Sequence, residues 1–131
     1  MNPTELVRLA KTAMQRAYVP YSGYKVGAAL LTKGGKVYLG CNIENAAFGL
    51  SNCAERTAFF TAIAAGEMEF ESIAVVGGKD GVVTDIFPPC GVCRQVMQEF
   101  CAPSFMIYMG RSDGTYVAES LGAMLPYGFT A

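Results

Sequence analysis

The segment NCAERTAFF, residues 52–60, carries a thiol and a carboxylate two positions apart where a helix is expected to begin. The run AERTAFFTAIAA (54–65) is apolar on nearly all sides and is followed by Gly66, which is typical of a buried helix that ends at a glycine. If Cys53 is the non-helical entry residue, the rule that residues i and i+2 diverge on a helix does not apply to Cys53 and Glu55. The segment predicts a buried helix with both groups at its N-terminal end.

Helical and strand patterns alternate on both sides of this helix. Asn2 and Pro3 open an amphipathic helix that ends before Pro20, and the turn TKGG (32–35) joins two β-rich runs into a hairpin. The remaining elements are a buried strand, a short helix and two strands: SIAVVGG (72–78), GVCRQVMQEF (91–100), SFMIYM (104–109) and TYVAES (115–120). The tail 121–131 is expected to be irregular. This order predicts an α/β fold, a single-domain three-layer α/β/α sandwich around a mixed five-stranded sheet.

Composition and charge exclude several classes of partner. Hydrophobic residues make up 52% of the chain, yet no apolar run approaches the roughly 18 residues of a membrane span. The N-terminal segment lacks the pattern of a signal or transit peptide, so a cytoplasmic location is expected. The chain has 10 Lys and Arg against 11 Asp and Glu, and the basic residues are scattered. We therefore expect a small-molecule partner, with no nucleic acid and no membrane.

The cysteines are the main chemical signal. Five cysteines, an odd number, favour metal binding or catalysis over a disulfide framework in a reducing compartment. Cys90 and Cys93 form a Cys-x-x-Cys pair on one face at the start of a predicted helix, where unpaired amides stabilise thiolates. If both helices follow strands that run in the same direction, Cys53 meets this pair at one sheet edge. Three thiolates leave a tetrahedral zinc one open position, as in catalytic sites.

Other interpretations of the same residues remain open. Asn52 with Glu55 matches a capping-box-like pattern, and a Cys-x-x-Cys pair also occurs as a redox dithiol. A lone cysteine such as Cys53 is more often a core residue. Cys41 and Cys101 look like core residues, yet either one as a fourth ligand would make a closed, structural zinc site.

Four segments together resemble the cytidine deaminase family, in its small form with three cysteine zinc ligands. They occur in the family's order and are AYVPYSGYKVGAALL (17–31), GCNIENAAFGLSNCAERTA (40–58), PPCGVCRQV (88–96) and LPYGF (125–129). The resemblance covers almost the whole chain and implies one catalytic domain over residues 1–131. It implies one Zn²⁺ per chain, bound by Cys53, Cys90 and Cys93, with Glu55 as the catalytic acid and base.

The implied reaction is hydrolytic deamination of cytidine and 2′-deoxycytidine to uridine and 2′-deoxyuridine, with release of ammonia, in pyrimidine salvage. In that scheme zinc-bound hydroxide attacks the ring carbon that carries the amine, and Glu55 shuttles the protons. Arg56 is implied to donate hydrogen bonds to the ligand sulfurs, although from the residues alone a surface arginine would be favoured. The chain contains no histidine, which excludes the His-liganded branches of the family if the site is built from this chain alone.

The resemblance also implies a set of substrate-binding residues, namely Asn42, Glu44, Tyr24, Ala54 and Phe129. Asn42 and Glu44 are implied to bind the sugar hydroxyls, although such residues also terminate strands. Tyr24 stands where the family usually has a phenylalanine against the pyrimidine. Family members are homotetramers in which an aromatic near the C-terminus, matched by Phe129, completes a neighbouring subunit's site. A deaminase of another aminopyrimidine nucleoside, such as blasticidin S, and a non-catalytic four-cysteine zinc module are the alternatives.

Overall fold

A computed structural model describes residues 1–131, in which helices and strands follow one another in the predicted order. The elements are α1 (Pro3–Met14), β1 (Tyr24–Thr32), β2 (Val37–Cys41), a short 3₁₀ turn (Phe48–Leu50), α2 (Ala54–Ala64), β3 (Phe70–Lys79), α3 (Gly91–Phe100), β4 (Met106–Gly110), β5 (Tyr116–Ser120) and α4 (Leu121–Met124). No helix among them has the length and apolar character needed to cross a membrane.

The five strands form one mixed sheet in the order β2-β1-β3-β4-β5. Strand β1 pairs antiparallel with both β2 and β3, so β2 and β3 run in the same direction. Strand β3 pairs parallel with β4, and β5 returns antiparallel along β4. Because α2 follows β2 and α3 follows β3, both helices begin at the same edge of the sheet. The predicted mixed five-stranded sheet is confirmed.

Helices cover both faces of the sheet, which gives the predicted three layers. Alternate residues of a strand point to opposite faces, so neighbouring core residues of β1 enter different clusters. One face packs against α1 through Leu6, Val7, Ala10, Met14, Ala29, Leu31, Ala74 and Val76. The other face packs against α2 and α3 through a larger set that includes Ala28, Leu30, Ala58, Phe59, Ile73, Val75, Met97 and Ile107. The layer formed by α2 and α3 is the one that positions the cysteines.

Local signals placed most helix ends correctly. The side chain of Asn2 accepts a hydrogen bond from the amide of Glu5 at 2.8 Å, which is the predicted cap of α1. Two expectations were wrong. The tail is not wholly irregular, because Ser120 caps the single turn of α4, which is too short to leave a periodic pattern. Helix α2 is not buried on nearly all sides, because Phe60 is 48% exposed.

Helix α2 lies directly on the backbone of β2 at Gly40. A methyl group at Gly40 would lie 2.3 Å from the carbonyl oxygen of Ala54 and 2.5 Å from the amide nitrogen of Ala58. Backbone atoms cannot move aside as a flexible side chain can, so any larger residue must displace the helix. This close approach fixes the distance of α2 from the sheet.

Replacing Gly40 by alanine is expected to lower the free energy of unfolding by about 2 kcal/mol, the usual cost of overpacking. Urea unfolding followed by circular dichroism measures this change. Gly49→Ala is the control, because no atom lies within 4 Å of the added methyl. Equal unfolding midpoints for the two variants would contradict the direct contact between α2 and β2.

Candidate active site

Three cysteine sulfurs converge where α2 and α3 begin. Cys53 is the residue that precedes α2, Cys90 precedes α3, and Cys93 lies in the first turn of α3. The sulfur of Cys90 lies 3.8 Å from that of Cys53 and 3.4 Å from that of Cys93, and all three are within 4.8 Å of one another. The predicted cluster is therefore formed, and Cys41 and Cys101 lie outside it.

The chain conformation leaves these sulfurs available for a common partner. Cys53 and Cys90 both have extended backbone angles, and neither side chain caps its own helix. Each sulfur can therefore turn toward the space between the helices instead of folding back on its own amides. The amides of both helix N-terminal turns carry partial positive charge, which stabilises negative sulfur.

The cluster fits one zinc ion. Tetrahedral zinc with Zn–S bonds of about 2.3 Å separates its sulfur ligands by about 3.8 Å, close to the two separations given above. Cys93 is buried, Cys53 is half-buried and Cys90 is exposed, so the cluster is open on one side. Three sulfurs leave one of the four positions for a ligand that this chain does not supply.

Arg56 and the thiols set the charge of the cluster. The Nη2 atom of Arg56 donates to the sulfur of Cys53 at 3.1 Å. The neighbouring thiol of Cys93 and the adjacent guanidinium together lower the pKa of Cys53 to about 5, whereas the proximity of Cys53 and burial raise the pKa of Cys93. A bound divalent cation would favour the ionised form of the sulfurs that coordinate it.

Glu55 is a buried carboxyl beside this cluster. Its side chain is only 4% exposed, and burial raises its pKa to about 7, with a smaller contribution from the negative charge of Cys53. A carboxyl with such a pKa can take up and release a proton near neutral pH. The capping-box interpretation of Asn52 is wrong, because Cys53 is the residue that precedes the helix and the Asn52 side chain donates to Thr57 Oγ1 instead.

A cavity of about 200 Å³ opens onto Cys53, Cys90 and Glu55. Nine residues line it, of which six were predicted as site residues: Tyr24, Asn42, Cys53, Ala54, Glu55 and Cys90. The other three are Val26, Phe87 and Pro88. The other four predicted residues do not line it, namely Glu44, Arg56, Cys93 and Phe129. A larger cavity of about 440 Å³ lies at the other end of β3 and contains none of the cluster residues, so the chemistry of the lining, and not its volume, identifies the candidate site.

Phe87 is the main site residue that the sequence reasoning missed. Its ring lies 6.4 Å from that of Tyr24, and it occupies the space above Gly77, where a methyl group would lie 2.8 Å from the ring. The available signal was an aromatic residue directly before the Pro-Pro-Cys motif. Periodicity does not register it, because residues 80–89 form neither helix nor strand.

Asn42 and Glu44 brace the segment that carries Tyr24. The Asn42 side chain accepts from the amide of Val26 at 2.9 Å and donates to the carbonyl of Tyr24 at 2.8 Å. The Glu44 carboxylate accepts from the amides of residues 21 and 22 and from the hydroxyl of residue 22. The hydrogen bond from that hydroxyl lowers the pKa of Glu44, which favours its ionised form. Both side chains therefore hold structure in addition to any contact with a substrate.

Tyr24 and Phe129 are both solvent-accessible. Tyr24 is 47% exposed, the Nζ atom of Lys79 lies 5.3 Å from its ring centre, and its hydroxyl makes no hydrogen bond within the chain. Phe129 is 75% exposed and does not line the cavity of its own chain. The resemblance implied that the Tyr24 ring contacts the pyrimidine, and Tyr24 lines the cavity beside Cys53 and Glu55.

The fold and the cluster define a class of protein, the α/β proteins in which three cysteines at two helix N-termini form a zinc site beside a buried glutamate. Residues 1–109 match the family model described as the zinc-binding region of cytidine and deoxycytidylate deaminases. The chain belongs to the cytidine deaminase family.

Individual relatives agree with this assignment. The chain is 45% identical over 130 residues to a cytidine deaminase of Sporosarcina psychrophila, covering 99% of this chain and 93% of that protein. A crystal structure of cytidine deaminase from Burkholderia pseudomallei superposes with a TM-score of 0.90 at 48% identity, covering 98% of this chain and 100% of that one. One from Mycobacterium tuberculosis superposes with a TM-score of 0.85 at 34% identity.

Proposed function

We propose that this protein catalyses the zinc-dependent hydrolytic deamination of cytidine and 2′-deoxycytidine. Water and the nucleoside are consumed, and uridine or 2′-deoxyuridine and ammonia are formed. The observation that carries the proposal is the buried carboxyl of Glu55 in the same cavity as Cys53 and Cys90, two members of the three-cysteine cluster. The names of the relatives support cytidine as the substrate.

In this proposal Cys53, Cys90 and Cys93 hold the zinc ion and Glu55 moves the protons. Zinc, when bound, supplies the acidification of a water molecule at neutral pH. Glu55 accepts the proton of that water and delivers protons to the ring nitrogen and then to the departing amine. Its raised pKa suits both directions of transfer, because neither protonation state is strongly favoured near pH 7.

Residues around the cavity would orient the nucleoside. Tyr24 and Ala54 line the wall that the pyrimidine would contact, and Asn42, which also lines the cavity, would bind the sugar. Glu44 would accept hydrogen bonds from sugar hydroxyls, and its negative charge would repel a phosphate. A neutral nucleoside is thus favoured over a nucleotide.

The proposal extends to assembly and location. A homotetramer in which Phe129 of one chain completes the site of a neighbour is consistent with the exposure of that ring. Residues 1–131 would act as one catalytic domain. A cytoplasmic location fits a site that needs three reduced thiols.

The direct test is turnover. Purified, zinc-loaded protein with cytidine is expected to release one ammonia per uridine formed. The absorbance change of the pyrimidine measures the formation of uridine. A parallel panel with 2′-deoxycytidine, cytidine 5′-monophosphate and blasticidin S is expected to show activity with the first alone. Turnover of blasticidin S without turnover of cytidine would overturn the proposed substrate.

Zinc content separates the catalytic site from a closed four-cysteine module. Cys41→Ser and Cys101→Ser are expected to retain one zinc per chain, because neither sulfur belongs to the cluster. Cys90→Ser is expected to lose most of its zinc under the same dialysis, as measured by mass spectrometry of the metal. Loss of zinc from Cys41→Ser or Cys101→Ser would indicate a fourth protein ligand.

A further inference from the structure

The C-terminal tail is bound to α3 by a pair of hydrogen bonds from one side chain. The Nε2 atom of Gln95 donates to the carbonyl oxygen of Phe129 at 2.9 Å, and the amide of Phe129 donates to Oε1 of Gln95 at 3.1 Å. A carboxamide is the side chain that can both donate and accept in this way. Both polar backbone groups of Phe129 are satisfied by Gln95, which we call the Gln95 clamp.

The tail conformation is shaped to meet this clamp. Tyr127 has a φ of 57°, a left-handed conformation that costs free energy in a residue other than glycine and turns the chain back toward α3. The next residue passes so close to α3 that a methyl group on Gly128 would lie 2.8 Å from Oε1 of Gln98. The tail is therefore packed on the helix and does not merely pass near it.

A second link holds the beginning of the tail. The Nη1 atom of Arg94 donates to the carbonyl of Met124 at 2.8 Å, and its Nε atom donates to the carbonyl of Pro89 at 2.8 Å. Arg94 thus joins the tail to the segment that precedes Cys90. The tail is attached at two points to α3, the helix at whose N-terminal end Cys90 and Cys93 lie.

The ring of Phe129 is not buried within its own chain, although the backbone of the tail is held in place. It is 75% exposed and lies outside the cavity of its own chain, although its backbone is fixed. Fixing a backbone costs about 1–2 kcal/mol per residue in lost conformational entropy. Phe129 therefore presents an exposed aromatic ring on a backbone that Gln95 holds in place, where a neighbouring molecule can contact the ring.

We propose that Gln95 is a positioning residue, whose carboxamide fixes the direction in which the Phe129 ring projects and thereby controls substrate binding in a neighbouring copy of the chain. This rests on the proposed function, in which Phe129 completes the neighbour's site. Gln95 does not touch the substrate. It acts on the reaction only through the backbone of the tail.

The test compares Gln95→Met with Glu99→Met. Both replace a polar side chain of α3 by an apolar side chain of similar length, but only Gln95 forms hydrogen bonds to the tail, whereas Glu99 is exposed and its side chain forms none. In Gln95→Met the KM for cytidine is expected to rise about tenfold, equivalent to about 1.4 kcal/mol, with kcat within about twofold and zinc retained. Amide hydrogen exchange of residues 124–131 is expected to accelerate. Glu99→Met is expected to resemble the wild type in all four measurements.

A double-mutant cycle shows whether Gln95 acts through Phe129. The KM of Gln95→Met/Phe129→Ala is expected to equal that of Phe129→Ala alone, because a ring that is absent cannot be misdirected. Independent, multiplying effects on KM, or unchanged exchange of the tail in Gln95→Met, would overturn the proposal. If Gln95→Met does not fold, Gln95→Glu, which keeps the acceptor and loses the donor, is expected to show a smaller rise in KM. A wild-type protein that does not turn over cytidine would overturn the proposed function instead, and hydrogen exchange would still decide the clamp.

Discussion

Glu55→Gln is expected to lower kcat for cytidine by about 10³-fold to 10⁴-fold while one zinc per chain remains bound. The amide has nearly the same shape as the carboxyl, so the cavity and the three sulfurs are retained. It cannot accept a proton from water or deliver one to the ring and the amine, and these transfers account for a loss of this size. Steady-state kinetics together with metal analysis of the same sample measure both parts of the expectation.

Glu99→Gln is the matched control for this variant. The substitution makes the same chemical change, carboxylate to amide, at an exposed residue of α3 whose side chain forms no hydrogen bond. Its kcat and KM are expected to equal those of the wild type. If Glu55→Gln retained more than about a tenth of the wild-type kcat, Glu55 would not be the group that moves the protons.

Arg56→Gln is expected to lower kcat by about 10-fold to 100-fold, the usual range for a residue that supports a metal ligand. Three thiolates on one zinc ion carry a net negative charge, which opposes the acidification of water. The guanidinium 3.1 Å from the sulfur of Cys53 offsets part of that charge. Its Nε atom is buried without a hydrogen-bond partner, which costs stability, so the charge beside the sulfur is the better explanation for an arginine here.

Two further variants give the Arg56 prediction its control. Arg56→Lys keeps the positive charge and loses the planar donors, so its kcat is expected to lie between those of the wild type and Arg56→Gln. Arg8→Gln removes an exposed arginine from α1 and is expected to have no effect. Equal kcat values for Arg56→Gln and the wild type would contradict a role of Arg56 in the reaction.

Most of the fold follows from local signals in the sequence. Helix α1 has a cap at Asn2 and a proline at its first position, and the glycine-containing turn 32–35 joins β1 to β2. Each signal acts within a few residues, so one sequence is enough to read it. Helix α4 was not predicted, because a single helical turn is too short to show a periodic pattern. It is capped by Ser120 and stabilised by the burial of Leu121.

The candidate site was predictable to the extent that its residues sit at helix starts. Cys53 and Cys90 precede helices that follow strands of the same direction, and this topology alone brings them to one sheet edge. The cap of α2 could not be decided in advance, because Asn52 and Cys53 are adjacent candidates and only the packed structure selects one. The Gln95 clamp joins residues 34 positions apart, a distance over which no local pattern operates.

The central claim is that three sulfurs at two helix N-termini hold one zinc ion and leave one position open beside Glu55. X-ray absorption spectroscopy at the zinc edge tests it most directly on the metal-loaded protein. The account predicts three sulfur neighbours at about 2.3 Å and a single oxygen or nitrogen neighbour at about 2.0 Å. Four sulfur neighbours, with no lighter atom in the first shell, would contradict it.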